Sequence, residues 1–186
     1  MRSVHRRRAL RLRPLGAALA VALLALPVRA EVGSVSTSGF VSTDVVPLAA
    51  SPALAWEALT QLPQWWSDQH TWSGRAAAMS LDLQAGGCWC ERWGDGQSVM
   101  HGQVLWVQPG RMLRLQAALG PLQALAVQAV LTLEVRPQGE AAELRASYRV
   151  AGAPEAGLDK LAPVVDRVLG EQWRRLASHL EGQARR

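Results

Sequence analysis

One apolar stripe near the end of the chain constrains its fold more than any other feature. Leu158, Leu161, Val165, Leu169, Trp173, Leu176 and Leu180 recur at spacings of three or four, the period of a single helix face. The spacing predicts a helix from about Asp159 to Glu181, roughly 30 Å long at 1.5 Å per residue. Arg167, Glu171, Arg174 and Arg175 occupy its polar side. Pro163 fits such a helix only in its first turn, because it lacks the backbone N–H that later turns need. A helix with one apolar face requires a second layer to cover that face.

The preceding segment supplies the cover. Glu31 to Ser38 is small and polar and reads as a loose lead-in. Phe40 to Leu48 is rich in Val and Thr and reads as a strand. Ser51-Pro52 then offers an N-cap and a proline at the first helical position, which predicts a short helix from Pro52 to Thr60. Pro63 ends it, and Trp65-Trp66 falls in the following turn. Beyond this the period becomes two, with Met79, Leu81 and Leu83 alternating with Ser80, Asp82 and Gln84. Strand candidates follow at 88–93, 99–108, 112–119, 125–135 and 143–150, separated by Gly or Pro turns, the pattern of consecutive antiparallel hairpins. The expected fold is therefore α+β: a curved antiparallel sheet of about six strands wrapped around a long C-terminal helix, with a short helix after the first strand. A strongly twisted sheet curled around one helix leaves a hollow wherever side chains do not fill it.

The first 30 residues have a different character. Six arginines between Arg2 and Arg13 precede an uncharged run from Leu15 to Leu26, and Val28-Arg29-Ala30 supplies small residues at a cleavage site. This is the layout of a secretory signal. The run of 12 residues falls short of the roughly 17 to 25 that span a bilayer, so cleavage is expected rather than a permanent anchor. The residues after Arg8 fit a twin-arginine signal poorly. The expectation is a cleaved signal over 1–30, a single domain over 31–186 and a periplasmic or secreted location, without stable membrane insertion after cleavage. Seven of the 20 basic residues precede Glu31 and all 15 acidic residues lie at or after it, so the remainder carries 13 basic against 15 acidic groups, a net charge of −2. The sequence pI near 10.5 thus belongs mostly to the signal, and no basic tract remains for a nucleic-acid partner.

The order of these elements resembles the START-like (SRPBCC, helix-grip) superfamily. The nearest branch is that of homologues of the activator of heat-shock-protein ATPase, with polyketide cyclase-like relatives. The segments that carry the resemblance are VVPLAASPALAWEALTQLPQWW (45–66), LDLQAGGCWCERW (81–93), HGQVLWVQPGRMLRLQ (101–116) and LGEQWRRLASHLEG (169–182). The resemblance implies a deep, largely apolar pocket for a small or lipid-like ligand. Members of the branch are usually cytoplasmic, and an export signal departs from that pattern and counts against a role on a cytosolic chaperone.

Several residues are candidates for chemistry. Eight tryptophans occur after Glu31. Each offers a flat apolar face and one N–H, suited to core filling or to an aromatic or amphipathic ligand. Trp65, Trp66 and Trp72, near the expected pocket mouth, lead the ligand candidates, with Trp89, Trp93 and Tyr148 beside them. Trp173 belongs to helix packing. Glu91 shares a strand face with Trp89 and Trp93. If that face lines the pocket, desolvation makes it a candidate general acid or base; if it faces water, Glu91 is an ordinary surface residue. His101 and Arg114 lie on neighbouring strands and form a candidate catalytic set with it. Cys88 and Cys90 share one face, near the upper distance limit for a bridge, and unbridged or weakly bridged thiols are expected. With no further cysteine and with His70, His101 and His179 scattered, no metal or other cofactor is expected. No nucleophile elbow, phosphate loop, dinucleotide fingerprint or His-Glu-x-x-His occurs. The leading expectation is an exported binding module for a hydrophobic small molecule or lipid. The alternatives are a cyclase- or dehydratase-type enzyme and a protein-interaction module.

Overall fold

The computed structural model describes residues 31–185; the expected signal segment, 1–30, lies outside them. Eight strands form one curved antiparallel sheet: β1 (Glu31–Ser36), β2 (Gly39–Leu48), β3 (Met79–Leu81), β4 (Cys88–Trp93), β5 (Gln97–Gln108), β6 (Met112–Gln116), β7 (Gln128–Gln138) and β8 (Ala141–Ala151). Their spatial order is β1-β2-β8-β7-β6-β5-β4-β3. Hairpins carry the chain from β3 to β8, and β2 then pairs with β8. The sheet alternates cleanly where it meets the core: Phe40, Val46 and Leu48 of β2 and Leu144, Tyr148 and Val150 of β8 are buried.

The long helix, α2 (Leu158–Ala184), packs mainly on β2 and β1. Leu158, Leu169, Trp173, Leu176 and Leu180 are buried along its inner face, as the stripe requires. It starts one residue before the expected position and ends three after it. Pro163 therefore sits in the second turn, where it removes the N–H that would bond the Asp159 carbonyl. The short helix α1 (Pro52–Thr60) has the expected bounds, and the Ser51 hydroxyl accepts from the Leu54 N–H at 3.4 Å.

Two expectations need correction. The sheet has eight strands rather than six, and α1 follows the second strand rather than the first. The residues read as a lead-in form β1, which pairs with β2 from Glu31↔Thr43 to Ser36↔Gly39. An edge strand is held by main-chain bonds to one neighbour, so small polar side chains do not prevent it. The turn into β2 needs Gly39, because a Cβ there would lie 2.7 Å from the Val150 carbonyl oxygen. The other strand beyond the expected six is β3 (Met79–Leu81), whose partner is β4.

Candidate functional site

Four indoles occupy much of the hollow between sheet and helix. Trp65, Trp66, Trp89 and Trp173 are all buried, and neighbouring rings lie 5.0 to 6.4 Å apart. Trp65 donates from Nε1 to the Ala58 carbonyl at 2.9 Å, and Trp66 donates to the His70 carbonyl at 3.0 Å. The loop that carries them is tied to α2 by two further bonds. The buried Gln172 side chain accepts from the Ser67 N–H at 2.9 Å, and Arg175 donates to the Trp65 carbonyl at 2.9 Å.

A cavity of about 360 Å³ remains where the indoles stop. Its walls are the Trp66–Trp72 loop, the turn at Leu119-Gly120-Pro121, the Val164–Leu169 stretch of α2, and His101. Trp72 is 55% exposed and Val164 49% exposed, and these two mark its mouth. The Leu119 turn is fixed from beneath by Tyr148, whose hydroxyl donates to the Ala117 carbonyl at 2.7 Å and accepts from the Leu119 N–H at 3.1 Å. Burial raises the Tyr148 hydroxyl above its ordinary pKa, against the opposing effect of the Leu119 N–H, so it remains protonated.

His101 and Glu91 meet beside this cavity. Glu91 has no exposed surface and His101 is 6% exposed. The Glu91 carboxylate faces Nε2 of His101 at 2.8 Å and accepts from the N–H groups of Trp72 at 3.0 Å and Ser73 at 2.5 Å. Burial alone would raise the Glu91 pKa, but the donors from Ser73, Trp72 and His101 outweigh it and hold the carboxyl below its ordinary value. Burial lowers His101, and the Glu91 hydrogen bond and charge only partly restore it. The pair is thus a carboxylate and a neutral imidazole near neutral pH.

Strand geometry sets the pair in place. Trp89 stands opposite Gly102, whereas Cys90 stands opposite Met100. His101 is therefore the extra residue of a β-bulge, which re-aims a side chain. It reaches both neighbours on β4: its ring centroid lies 5.3 Å from that of Trp89, and its Nε2 meets Glu91. Gly102 permits the close approach that follows, since a Cβ there would lie 2.7 Å from that of Ala117. Across the bulge, Cys88 and Cys90 form a disulfide with Cα atoms 5.3 Å apart, so of the two expected states, unbridged or weakly bridged, the unbridged one is overturned. An extended strand separates such positions by about 6.6 Å. β4 is contracted at this point, which brings the cysteines into bridging range.

The sequence-based candidates separate clearly. Trp66, Trp72 and His101 line the cavity, and Glu91 stands behind His101. Trp65 and Tyr148 support the walls through main-chain bonds. Trp89 borders a void of only about 10 Å³ beneath, and Trp93 lies at the β4–β5 hairpin. Arg114 does not join Glu91 and His101. Its Nε donates to Thr132 at 3.1 Å and its guanidinium lies 5.4 Å from the ring centroid of Trp106, an exposed residue. Leu113 and Leu115 on either side of Arg114 are buried, so alternation turns Arg114 outward. Sequence reasoning missed Leu119, Val164 and Val168. The signal for the valines was an apolar arc from Leu161 to Leu169 that is wider than one helix stripe. Among the described residues no group of three or more His, Cys, Asp or Glu is placed to hold a metal, and no helix is long and apolar enough to cross a membrane.

No family model and no curated protein matches the chain. Solved structures do resemble it. A protein of unknown function from Staphylococcus aureus is 13% identical over 80% of this chain and 97% of its own, with a TM-score of 0.58. A protein from Arthrobacter aurescens is 13% identical over 82% of this chain and 91% of its own, with a TM-score of 0.56. A protein from Rhodobacter sphaeroides is 20% identical over 83% of this chain and 99% of its own, with a TM-score of 0.52. These likenesses show a shared α+β fold, compatible with a helix-grip arrangement of sheet and C-terminal helix.

Proposed function

We propose that this chain is an exported binding module that holds a small hydrophobic molecule between the Trp66–Trp72 loop, the Leu119–Pro121 turn and the proximal half of α2. The observation that carries this reading is the cavity of about 360 Å³, within the size range of small-molecule sites, with mostly apolar walls and few polar groups. The resemblance to the START-like superfamily supports it, since that fold commonly encloses apolar ligands. Export is supported by the signal-like segment before Glu31 and by a disulfide suited to an oxidising compartment. Native mass spectrometry of protein purified from the periplasm, with displacement of the neutral probe N-phenylnaphthylamine, tests the reading. A co-purifying apolar adduct or a displaceable probe is expected, with probe binding lost in Val168→Trp, which fills the cavity. Absence of both adduct and probe binding would remove the basis for the proposal. N-terminal sequencing of the exported chain should begin at Glu31.

A second reading rests on the Glu91–His101 pair. A carboxylate that orients a neutral imidazole is a general-base arrangement, so the same cavity suits proton abstraction beside a carbonyl, without help from Arg114. Exchange of deuterium into a small cyclic ketone, followed by NMR, tests this reading. Exchange no faster than in buffer, or unchanged in His101→Gln, would refute it.

A further inference from the structure

His101 selects the chemical class of the occupant. Its Nε2 faces a carboxylate that accepts two N–H groups besides, and an ionised carboxylate has no hydrogen to give. Nε2 therefore carries the proton, and in a neutral imidazole the other nitrogen is then an acceptor. Nδ1 has no hydrogen-bond partner among the described residues, nor is it among the fully buried polar atoms that lack one. It is left accessible at a residue that borders two open spaces, the apolar cavity and a more polar cleft of about 310 Å³ beyond it.

The rest of the cavity offers little that would hold a charge. No Lys or Arg lines it. The Thr71 hydroxyl donates to the Asp68 carbonyl at 2.7 Å, and His70 pairs with Glu171 at 3.4 Å. An anion entering to His101 would meet an acceptor nitrogen backed by the buried Glu91 charge, with no cation to offset it. Burial without such an offset is strongly unfavourable for a charged group. A neutral donor fits instead. The volume, about 360 Å³, lies toward the lower end of the range for small-molecule sites, so a compact guest of one or two rings suits it.

We propose that the cavity takes a neutral, largely apolar molecule bearing one hydroxyl, an alcohol or a phenol, and that this hydroxyl donates to Nδ1 of His101. The proposal rests on the binding reading above and narrows it. Calorimetry with p-phenylphenol, its methyl ether and p-phenylbenzoate tests it, because the three share a body and differ only at the polar end. The phenol is expected to bind about tenfold tighter than the ether, equivalent to about 1.4 kcal/mol, and tighter still than the benzoate. In His101→Leu the phenol and ether should converge to within about twofold, the residual scatter expected once the hydrogen bond is gone. If that variant does not fold by circular dichroism, the three-compound comparison on the unaltered protein decides alone. Val168→Trp should abolish binding of all three. Equal affinity for phenol and ether, or tightest binding of the benzoate, overturns the hydroxyl proposal and leaves the apolar-cavity reading standing. Phenol binding retained in Val168→Trp places the hydroxyl in the outer cleft and also overturns it. No binding by any of the three overturns both readings.

Discussion

Asp44→Asn should stabilise this protein, and more so as pH rises. Asp44 lies on β2 under α2 and is 2% exposed. One carboxylate oxygen, Oδ1, is buried without a hydrogen-bond partner. Nearby on α2, Asp166 accepts from the Ser42 hydroxyl at 2.5 Å and adds like charge. Burial first and Asp166 second push the Asp44 carboxyl from 3.8 up to about 6. The Trp173 indole N–H and the Arg174 guanidinium pull the other way, but the indole makes no hydrogen bond, and Arg174 and Asp44 form no ion pair among the described residues. A carboxyl whose pKa is raised on folding contributes stability below its unfolded value, and that stability is lost as pH rises through the folded value. At 1.36 kcal/mol per pH unit, the interval between 3.8 and about 6 corresponds to about 3 kcal/mol lost by about pH 8. Asn has nearly the same shape and never ionises. The variant should therefore gain about 2 to 3 kcal/mol over the parent near pH 8 and almost nothing near pH 4. Urea unfolding followed by tryptophan fluorescence across that range measures the difference directly. A difference that does not change with pH, or a variant weaker than the parent near pH 8, would refute the reasoning.

Three further perturbations probe the site and its supports. Tyr148→Phe removes the hydroxyl that fixes the Ala117–Leu119 wall and should cost about 1 to 3 kcal/mol, because it leaves buried main-chain groups unpaired; hydrogen exchange at the Leu119 amide should accelerate, and unchanged exchange would count against the wall assignment. Gln172→Leu leaves the buried Ser67 N–H without its acceptor and should cost about 1 to 3 kcal/mol, read as a lower melting temperature, whereas an unchanged melt would show that water satisfies the group. Replacing both Cys88 and Cys90 by Ser releases the contraction of β4 opposite the His101 bulge. The His101–Glu91 bond should lengthen, and NMR titration of the imidazole should report the change; a titration identical to that of the parent would show that bridge and bulge are independent.

Local signals were the legible ones. Ser51-Pro52 specifies where α1 begins, because a cap and a first-turn proline act on their own neighbours. The α2 stripe specifies a buried face because its period is that of the helix. β1 was not legible, because an edge strand is held by backbone pairing to a distant segment and its small side chains carry no pattern. At the site, alternation along β4 correctly made Glu91 and Trp89 share a face. Alternation along β6 likewise turns Arg114 outward, between two buried leucines, and lying on the strand next to that of His101 does not override it. The position of His101 needed the bulge, and a bulge is a relation between two strands that neither strand announces alone.

The tryptophans bear on the size of the guest. Read from sequence, they are candidate ligand contacts; in the fold, Trp65, Trp89 and Trp173 fill the grip, and only Trp66 and Trp72 line the space that remains. An indole is a large, rigid filler, so four packed together close off one end of the hollow without need of a ligand. The open end is lined instead by smaller groups, Val164, Val165, Val168 and Gly120. A cavity of about 360 Å³ lies toward the lower end of the range for small-molecule sites, too small to enclose a whole two-chain lipid. To be enclosed whole, such a lipid would have to displace the indole cluster, breaking the Trp65 and Trp66 main-chain bonds and the Gln172 and Arg175 ties to α2. The packing that makes this fold stable therefore argues for a compact guest.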